Sequence, residues 1–380
     1  MKVAISVFGR FHAFNLAQQL QKRGYLDKLI SSYPTFEIKK HGIHSSHVIS
    51  LWHLEVLSRS WYKLPIWLRK DRNLQLWFLE QFDRSVMCCL PPKLDLLVGW
   101  SGGCFWSLER AKAMGAKTVI ERGSSHMHYQ TAILQEEYSL WGLKFAETHP
   151  GVHEREIKSY FDADRIAIPS LFVKRTFLAQ GIPENKLIHV PYGTSLKEFY
   201  PVPKEDQIFR VIHCGMLSLR KGVQYLLQAF YDLNLPNAEL WLVRTITAEI
   251  EPFLARYQSD RIIYKGQQPQ HKLRWFYSQC SVFCIASIEE GLAMVQPQAM
   301  ACGLPIIHTT NTGGDDIVRN GIDGFCIPIR NVDALQEKIL FFYENPEKTV
   351  EMGNNALKQA QTALSWDNYG ERIVSAYSTI

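Results

Sequence analysis

The sequence predicts an α/β protein made of two doubly wound domains whose sheets face each other across a cleft. Three observations predict it. The chain has 380 residues, more than one ordinary core holds, and suits two domains of usual size. Short β-branched or apolar runs alternate with helical stretches along its whole length, which is how parallel sheets covered by helices read in sequence. Residues 200–209, "YPVPKEDQIF", are polar and carry prolines, and the alternation restarts after them. The boundaries drawn from this are 1–200 for the first domain and 205–365 for the second.

The first domain opens on the strand "VAISVF". Ala13, Leu16, Ala17 and Leu20 then fall at i, i+3, i+4 and i+7, so a helix follows with one face on the sheet. "DLLVG", "KTVIE", "RIAIPS" and "LIHVP" read as the later strands. The second domain starts with "FRVIHC", and Val223, Leu226, Leu227 and Phe230 repeat the helical spacing after it. "AELWLV", "RIIYKG", "SVFCIAS", "LPIIH" and "GFCIPI" continue the alternation. Within "EEGLAMVQPQAMACGLP", Pro297 fits only the first turn of a helix, and Gly303 with Pro305 marks its end, giving a helix from about Met294 to Cys302.

Composition excludes several classes. Hydrophobic residues at 46% and charged residues at 21% describe a soluble globular chain. No apolar run approaches the roughly 20 residues of a membrane helix, and the opening run is too short for a secretory signal, so a cytoplasmic location is expected. Eight cysteines with no CxxC pair read as reduced, packed thiols. The net charge of +5 contains no dense Lys/Arg block, so no nucleic-acid partner is expected, while anionic ligands fit.

Chemistry concentrates in the strand-to-helix loops, since open sheets bind ligands at the carboxyl edge of their strands. In "GMLSLRKG", Gly215 and Gly222 let a ligand approach the backbone, and Arg220 and Lys221 stand at a helix start, which is how a diphosphate site is built. Glu290 precedes the Pro297 helix and Gln298 lies in its first turns. Taken alone, Glu289 and Glu290 read as exposed loop charges, whereas a carboxylate beside an amide at one mouth also suits sugar hydroxyls. After "KTVIE", the loop "RGSSHMHYQ" offers His126, with His128 as the alternative, toward the cleft. Their HxH spacing lacks further zinc ligands, and Asp162 and Asp164 of "FDADR" lead straight into a strand, so no metal is expected. Residues 51–81 hold Trp52, Trp61, Trp67 and Trp77 among Arg59, Lys63, Arg69, Lys70 and Arg72, a mixture that suits peripheral contact with a membrane face as well as ordinary helix packing.

From Ala163 onward the chain resembles the family 4 glycosyltransferases, retaining enzymes of GT-B architecture. The matching segments are "ADRIAIPSLFVKRTFLAQGIPENKLIHVPYGTSLKEFYP", "GMLSLRKGVQYLLQAF", "EEGLAMVQPQAMACGLPIIHTTNTGGDDIVRNGIDGFCIP" and "LSWDNYGERIVSAY". The resemblance implies a nucleotide-sugar donor held by the second domain, a glycan or lipid-linked acceptor held by the first, and no cofactor. It places Glu290 on the first glutamate of the family's Glu, seven residues, Glu motif, which holds donor hydroxyls, with Gly291, Leu292 and Ala293 in the same donor loop. It places Lys221 on the diphosphate, Gly9 in a glycine loop approaching from across the cleft, and Thr312, Gly313 and Gly314 in a loop near the donor. It assigns the reacting region to His126 beside Glu290 and Lys221. A final helix, about Trp366 to Tyr377 within 366–380, is implied to cross back onto the first domain. Two positions depart from the family pattern: Gln298 replaces the second glutamate, and Met216 stands where many relatives carry an arginine, a charge that Arg220 is expected to supply. A catalytically weak or inactive GT-B subunit that binds nucleotide sugar or scaffolds a partner enzyme is the alternative.

Overall fold

The computed structural model describes residues 1–65, 68 and 74–380. Its first sheet has seven parallel strands, β1 (Val3–Val7), β2 (Leu26–Ser31), β3 (Val48–Ser50), β4 (Leu96–Trp100), β5 (Lys117–Glu121), β6 (Arg165–Ile168) and β7 (Leu187–His189), in the order β3-β2-β1-β4-β5-β6-β7. The second has six, β8 (Phe209–Cys214), β9 (Ala238–Val243), β10 (Ile262–Gly266), β11 (Val282–Ile285), β12 (Ile306–Thr309) and β13 (Gly324–Ile327), in the order β10-β9-β8-β11-β12-β13. Each order reverses direction once, at β1/β4 and at β8/β11, and a reversal of this kind opens a crevice at the carboxyl edge. Both strands at the head of these reversals are buried along nearly their whole length and mostly apolar, with Ser6 in β1 and Arg210 and His213 in β8 as buried polar exceptions.

Two strands of the first sheet, β2 and β3, were not expected from sequence. In "LDKLIS" the pair Asp27 and Lys28 interrupts the apolar run and is only half-buried, and β3 is a three-residue edge strand paired through Leu29↔Val48 to Ser31↔Ser50. The helix after β1 runs Ala13–Lys22, that after β8 runs Val223–Leu233, and the Pro297 helix runs Val295–Ala301.

The closing helix Trp366–Tyr377 lies against Ala13–Lys22 of the first lobe. Gly370 makes the approach possible, since a Cβ there would stand 2.5 Å from Gln19 Oε1. Lys22 Nζ meets Asp367 Oδ1 at 2.6 Å, and the buried Tyr377 hydroxyl donates to Glu121 Oε1 at 3.0 Å. Trp52 and Trp77 are exposed and Trp61 is half-buried, while Trp67, Arg69, Lys70 and Arg72 lie outside the described residues. Among the described residues no helix is long and apolar enough to cross a membrane.

Candidate active site in the cleft between the lobes

A cavity of about 670 Å³ opens where the two carboxyl edges meet. The second lobe contributes Cys214, Gly215 and Met216 after β8, Lys221 at the following helix start, Arg244 and Thr245 after β9, Gln267 after β10, and Glu290 with Leu292–Val295 after β11. Gly222 sets the position of Lys221: it sits at φ +64°, and a Cβ there would fall 1.9 Å from the Ala286 carbonyl. Lys221 Nζ is in direct contact with Glu290 Oε1. Burial and the neighbouring Arg220 lower the Lys221 ammonium to about 7, with Glu289 and Cys214 pulling the other way. Glu290 is fixed from behind, its amide donating to the Asn311 carbonyl at 2.9 Å.

Arg220, the expected second cation, stands 3.9 Å from Glu290 Oε1 but is held by Glu289. Its Nη2 lies 3.0 Å from Glu289 Oε2 and its Nε donates to the Glu289 carbonyl at 3.1 Å, so Glu289 holds the guanidinium and it does not line the cavity. Arg244 lines it instead, on a backbone at φ +117°, a conformation that costs on the order of 1–3 kcal/mol and that persists only where the surroundings impose it. Glu289 itself is fully buried, contrary to its reading as a loop charge. It accepts from Ser125 N at 2.9 Å, Ser125 Oγ at 2.6 Å and Gln130 Nε2 at 2.9 Å, all from the first lobe's chain.

Facing these groups are Phe11, His12, Trp100, Ser101, Arg122, Gly123, Ser124 and Tyr192 of the first lobe. Gly9, at φ +106° with its N–H donating to Ser32 Oγ at 2.9 Å, turns the chain so that Phe11 and His12 reach the cavity; Gly9 itself is not on the wall. His12 Nε2 stands 3.1 Å from Glu121 Oε2, and its ring packs 4.2 Å from Tyr192. A carboxylate only accepts, so Nε2 carries the proton of that bond. Arg122 is clamped by Glu156 at 2.5 Å and by the Ser125 carbonyl.

His126 does not face the cleft. It caps the helix Met127–Leu140, Nδ1 accepting from His128 N at 3.2 Å, and its ring is buried among Tyr160, Phe177 and His128. Burial, with His128 and Arg122 nearby, lowers its pKa to about 3, so it stays neutral at physiological pH. His128 stacks on His153 and meets Gln180, also away from the cavity wall. Asp164 anchors the start of β5 through Thr118 N at 2.8 Å and Thr118 Oγ1 at 2.7 Å.

Residues 197–359 match the family described as Glycosyl transferases group 1. The matched residues take in most of the second lobe. The chain is 27% identical over 206 residues to an uncharacterized glycosyltransferase of Methanocaldococcus jannaschii, covering 54% of this chain and 57% of that protein. It is 23% identical over 287 residues to a GDP-mannose-dependent monoacylated alpha-(1-6)-phosphatidylinositol monomannoside mannosyltransferase of Corynebacterium glutamicum, covering 70% and 71%. It therefore spans little more than half the length of the first relative and about seven-tenths of the second. Among solved structures, sucrose-phosphate synthase from Thermosynechococcus elongatus superposes with a TM-score of 0.76 at 19% identity, over 100% of this chain and 98% of that one. The fold is GT-B, two Rossmann-like lobes around a cleft.

Within the matched residues, Leu292 and Ala293 lie on the cavity wall, whereas Gly291 meets the other lobe. A Cβ on Gly291 would fall 1.9 Å from the Gly123 carbonyl, and Ser170 Oγ donates to the Gly291 carbonyl at 2.6 Å. Gly313, at φ +68°, packs under this contact, and Thr312 receives Gln296 Nε2 on its carbonyl at 3.0 Å. Gln298 is one helical turn beyond the wall, its Oε1 3.5 Å from the Tyr277 hydroxyl. The arrangement brings Lys221, Glu290, Gly215, Leu292 and Ala293 together and leaves Arg220, Gly291, Gln298, Gly9 and His126 around or behind them. Arg244, His12 and Glu289 are the residues that sequence reasoning missed. A charged residue directly after a strand (Arg244) and a histidine next to Phe11, three residues past Gly9 (His12), were the available signals.

Proposed function

We propose that this protein moves a sugar from a nucleotide-diphosphate sugar onto a glycan or lipid-linked acceptor, with retention at the anomeric carbon and without a metal at the reacting atoms. The observation that carries this reading is the convergence of Lys221, Arg244 and Glu290 on the second lobe's side of one interlobe cavity, within the residues that match the group 1 glycosyltransferases. On this reading the second lobe takes the donor. Lys221 and Arg244 neutralise the departing diphosphate, which the nearby backbone of Gly215 lets come close. Glu290 accepts hydrogen bonds from the sugar hydroxyls; donor binding separates it from Lys221, which turns to phosphate.

The first lobe takes the acceptor. His12, oriented by Glu121, stands in the wall opposite the diphosphate side, the role that sequence gave to His126. Retention follows if the acceptor attacks from the face the diphosphate leaves, and the resemblance to retaining enzymes is what supports that stereochemistry. The phosphatidylinositol mannoside in the name of one relative, and the exposed Trp52, Val56 and Leu57 beside Arg59, support a lipid-linked acceptor met at a membrane face.

The test is incubation with UDP-, GDP- and ADP-sugars and a panel of lipid-linked and soluble glycans, with release of nucleotide and anomeric configuration read by NMR. Transfer is expected from one donor class, and Lys221→Ala is expected to lower kcat/KM by about 100-fold or more, the scale of losing one preorganised charge-stabilising group. Donor binding without transfer to any acceptor, or transfer that survives Lys221→Ala unchanged, overturns the reading.

A further inference from the structure

We propose that His308, Asp315 and Cys326 form a binding site for one divalent transition-metal ion of the zinc type, separate from the sugar-transfer cavity. The site is assembled by topology. β12 and β13 are parallel neighbours with His308 paired to Cys326, and the short helical turn Gly314–Asp316 returns Asp315 to the same place. One nitrogen, one oxygen and one sulfur, from three segments, lie within 4.8 Å of one another, with His308 Nε2 to Asp315 Oδ1 at 3.9 Å. Tetrahedral zinc with bonds of about 2.0–2.3 Å needs ligand atoms roughly 3.4–3.8 Å apart, so side-chain shifts of a fraction of an ångström to about one ångström close the set.

A second observation points to a ligand. His308 Nε2 is fully buried and has no hydrogen-bond partner, the arrangement that folded proteins avoid. Its Nδ1 lies 3.1 Å from the Thr309 carbonyl. A carbonyl cannot donate, so the proton sits on Nδ1 and Nε2 presents its lone pair toward Asp315 and Cys326. Backbone carbonyls orient metal-binding histidines in this way. A thiol-to-carboxylate hydrogen bond between Cys326 and Asp315 explains those two residues but leaves Nε2 without a partner; a cation satisfies all three. Imidazole, thiolate and carboxylate together select zinc or cobalt(II) over magnesium or calcium. Asp315 is exposed, which gives the ion an entry path and a fourth position for water.

The ion would tie two strands to the turn that carries the next residue, Asp316. Asp316 reaches the first lobe, 2.6 Å from His189 Nε2 and 2.9 Å from Leu171 N. Occupancy therefore stiffens an interlobe contact and takes no part in the transfer chemistry.

The experiment uses the full chain, stripped with chelator, in a Cys88→Ser/Cys89→Ser background that removes the adjacent thiols near the surface. Titration with Co2+ is expected to give a thiolate-to-cobalt charge-transfer band saturating at one equivalent, absent in Cys326→Ser. Asp315→Asn, a surface change that preserves folding, is expected to weaken Co2+ and competing Zn2+ by at least tenfold, and Zn2+ is expected to raise the melting temperature of the parent protein alone. No band, a band that persists in Cys326→Ser, or equal affinity in a folded Asp315→Asn protein overturns the proposal.

Discussion

Lys221 shows what one residue's surroundings add to its identity. The sequence identifies it as a cation at a helix start; only the structure shows it partly buried in the cavity wall beside Arg220 and touching Glu290, with its pKa lowered to about 7. The direction has a consequence for binding. An ammonium whose pKa in the free protein is near 7 is charged below that pH and loses its proton above it, while a bound diphosphate restores the charge. Affinity for a nucleotide-diphosphate sugar is therefore greatest below pH 7 and falls by up to tenfold per pH unit above it, with proton uptake on binding. Calorimetry in buffers of different ionisation enthalpy measures both quantities. Lys221→Arg, charged throughout, is expected to flatten the profile; an unchanged slope in that variant rules out Lys221 as the titrating group. His126 and Arg220 teach the complementary lesson. Each was placed correctly in sequence next to a strand end, yet His126 turned into an aromatic pocket as a helix cap and Arg220 turned to Glu289, because partners more than 30 residues away decided where the side chains point.

At the level of elements, periodicity and punctuation were enough to read eleven of the strands, the two helices that follow β1 and β8, and the Pro297 helix. Strands buried on both faces read as short, mostly apolar runs, so "FRVIHC" and "AELWLV" coincide with β8 and β9 despite Arg210, His213 and Glu239 within them. β2 and β3 escaped because a strand near a sheet edge keeps charged residues, and a three-residue strand has no period to detect. The loops were less legible than the elements they join. Gly291 reads as a donor-loop glycine, but its missing Cβ admits the Gly123 carbonyl of the opposite lobe. Gly291→Ala is therefore expected to hold the lobes apart. Small-angle scattering should show a wider particle, and transfer should slow on the order of 100-fold, the usual result of moving catalytic groups by about an ångström, with each lobe's own melting little changed. An alanine variant with native dimensions and native rate refutes this role for the close approach.

Across the whole molecule, the two lobes are joined by buried polar groups as well as by apolar surface. The helix Met127–Leu140 starts in the first lobe and packs Ile133 and Leu134 into the second lobe's core. Its fully buried Glu137 accepts from Gln224 Nε2 at 2.8 Å, Tyr225 OH at 2.9 Å and Arg330 Nε at 2.6 Å. Glu289 performs the reciprocal task from the second lobe, receiving Ser125 and Gln130. Burial opposes its charge, but Arg220 and the hydrogen bonds from Ser125 and Gln130 outweigh burial and hold the carboxyl below its usual range. The sign of the linkage follows. A carboxylate with a depressed folded pKa contributes stability that is fully present above its unfolded pKa, about 4.3, and that disappears as pH falls through the folded value. Glu289→Gln replaces charge-assisted bonds with neutral ones and is expected to cost about 2 kcal/mol at pH 7. Urea midpoints of the two proteins should differ at pH 7, begin to draw together as pH falls below the unfolded pKa and converge below the depressed folded one, because acid protonates the wild-type carboxyl and removes the same interactions that the substitution removes. A difference that stays constant from pH 7 to pH 3 would show that Glu289 holds the lobes by shape alone, with its charge contributing nothing.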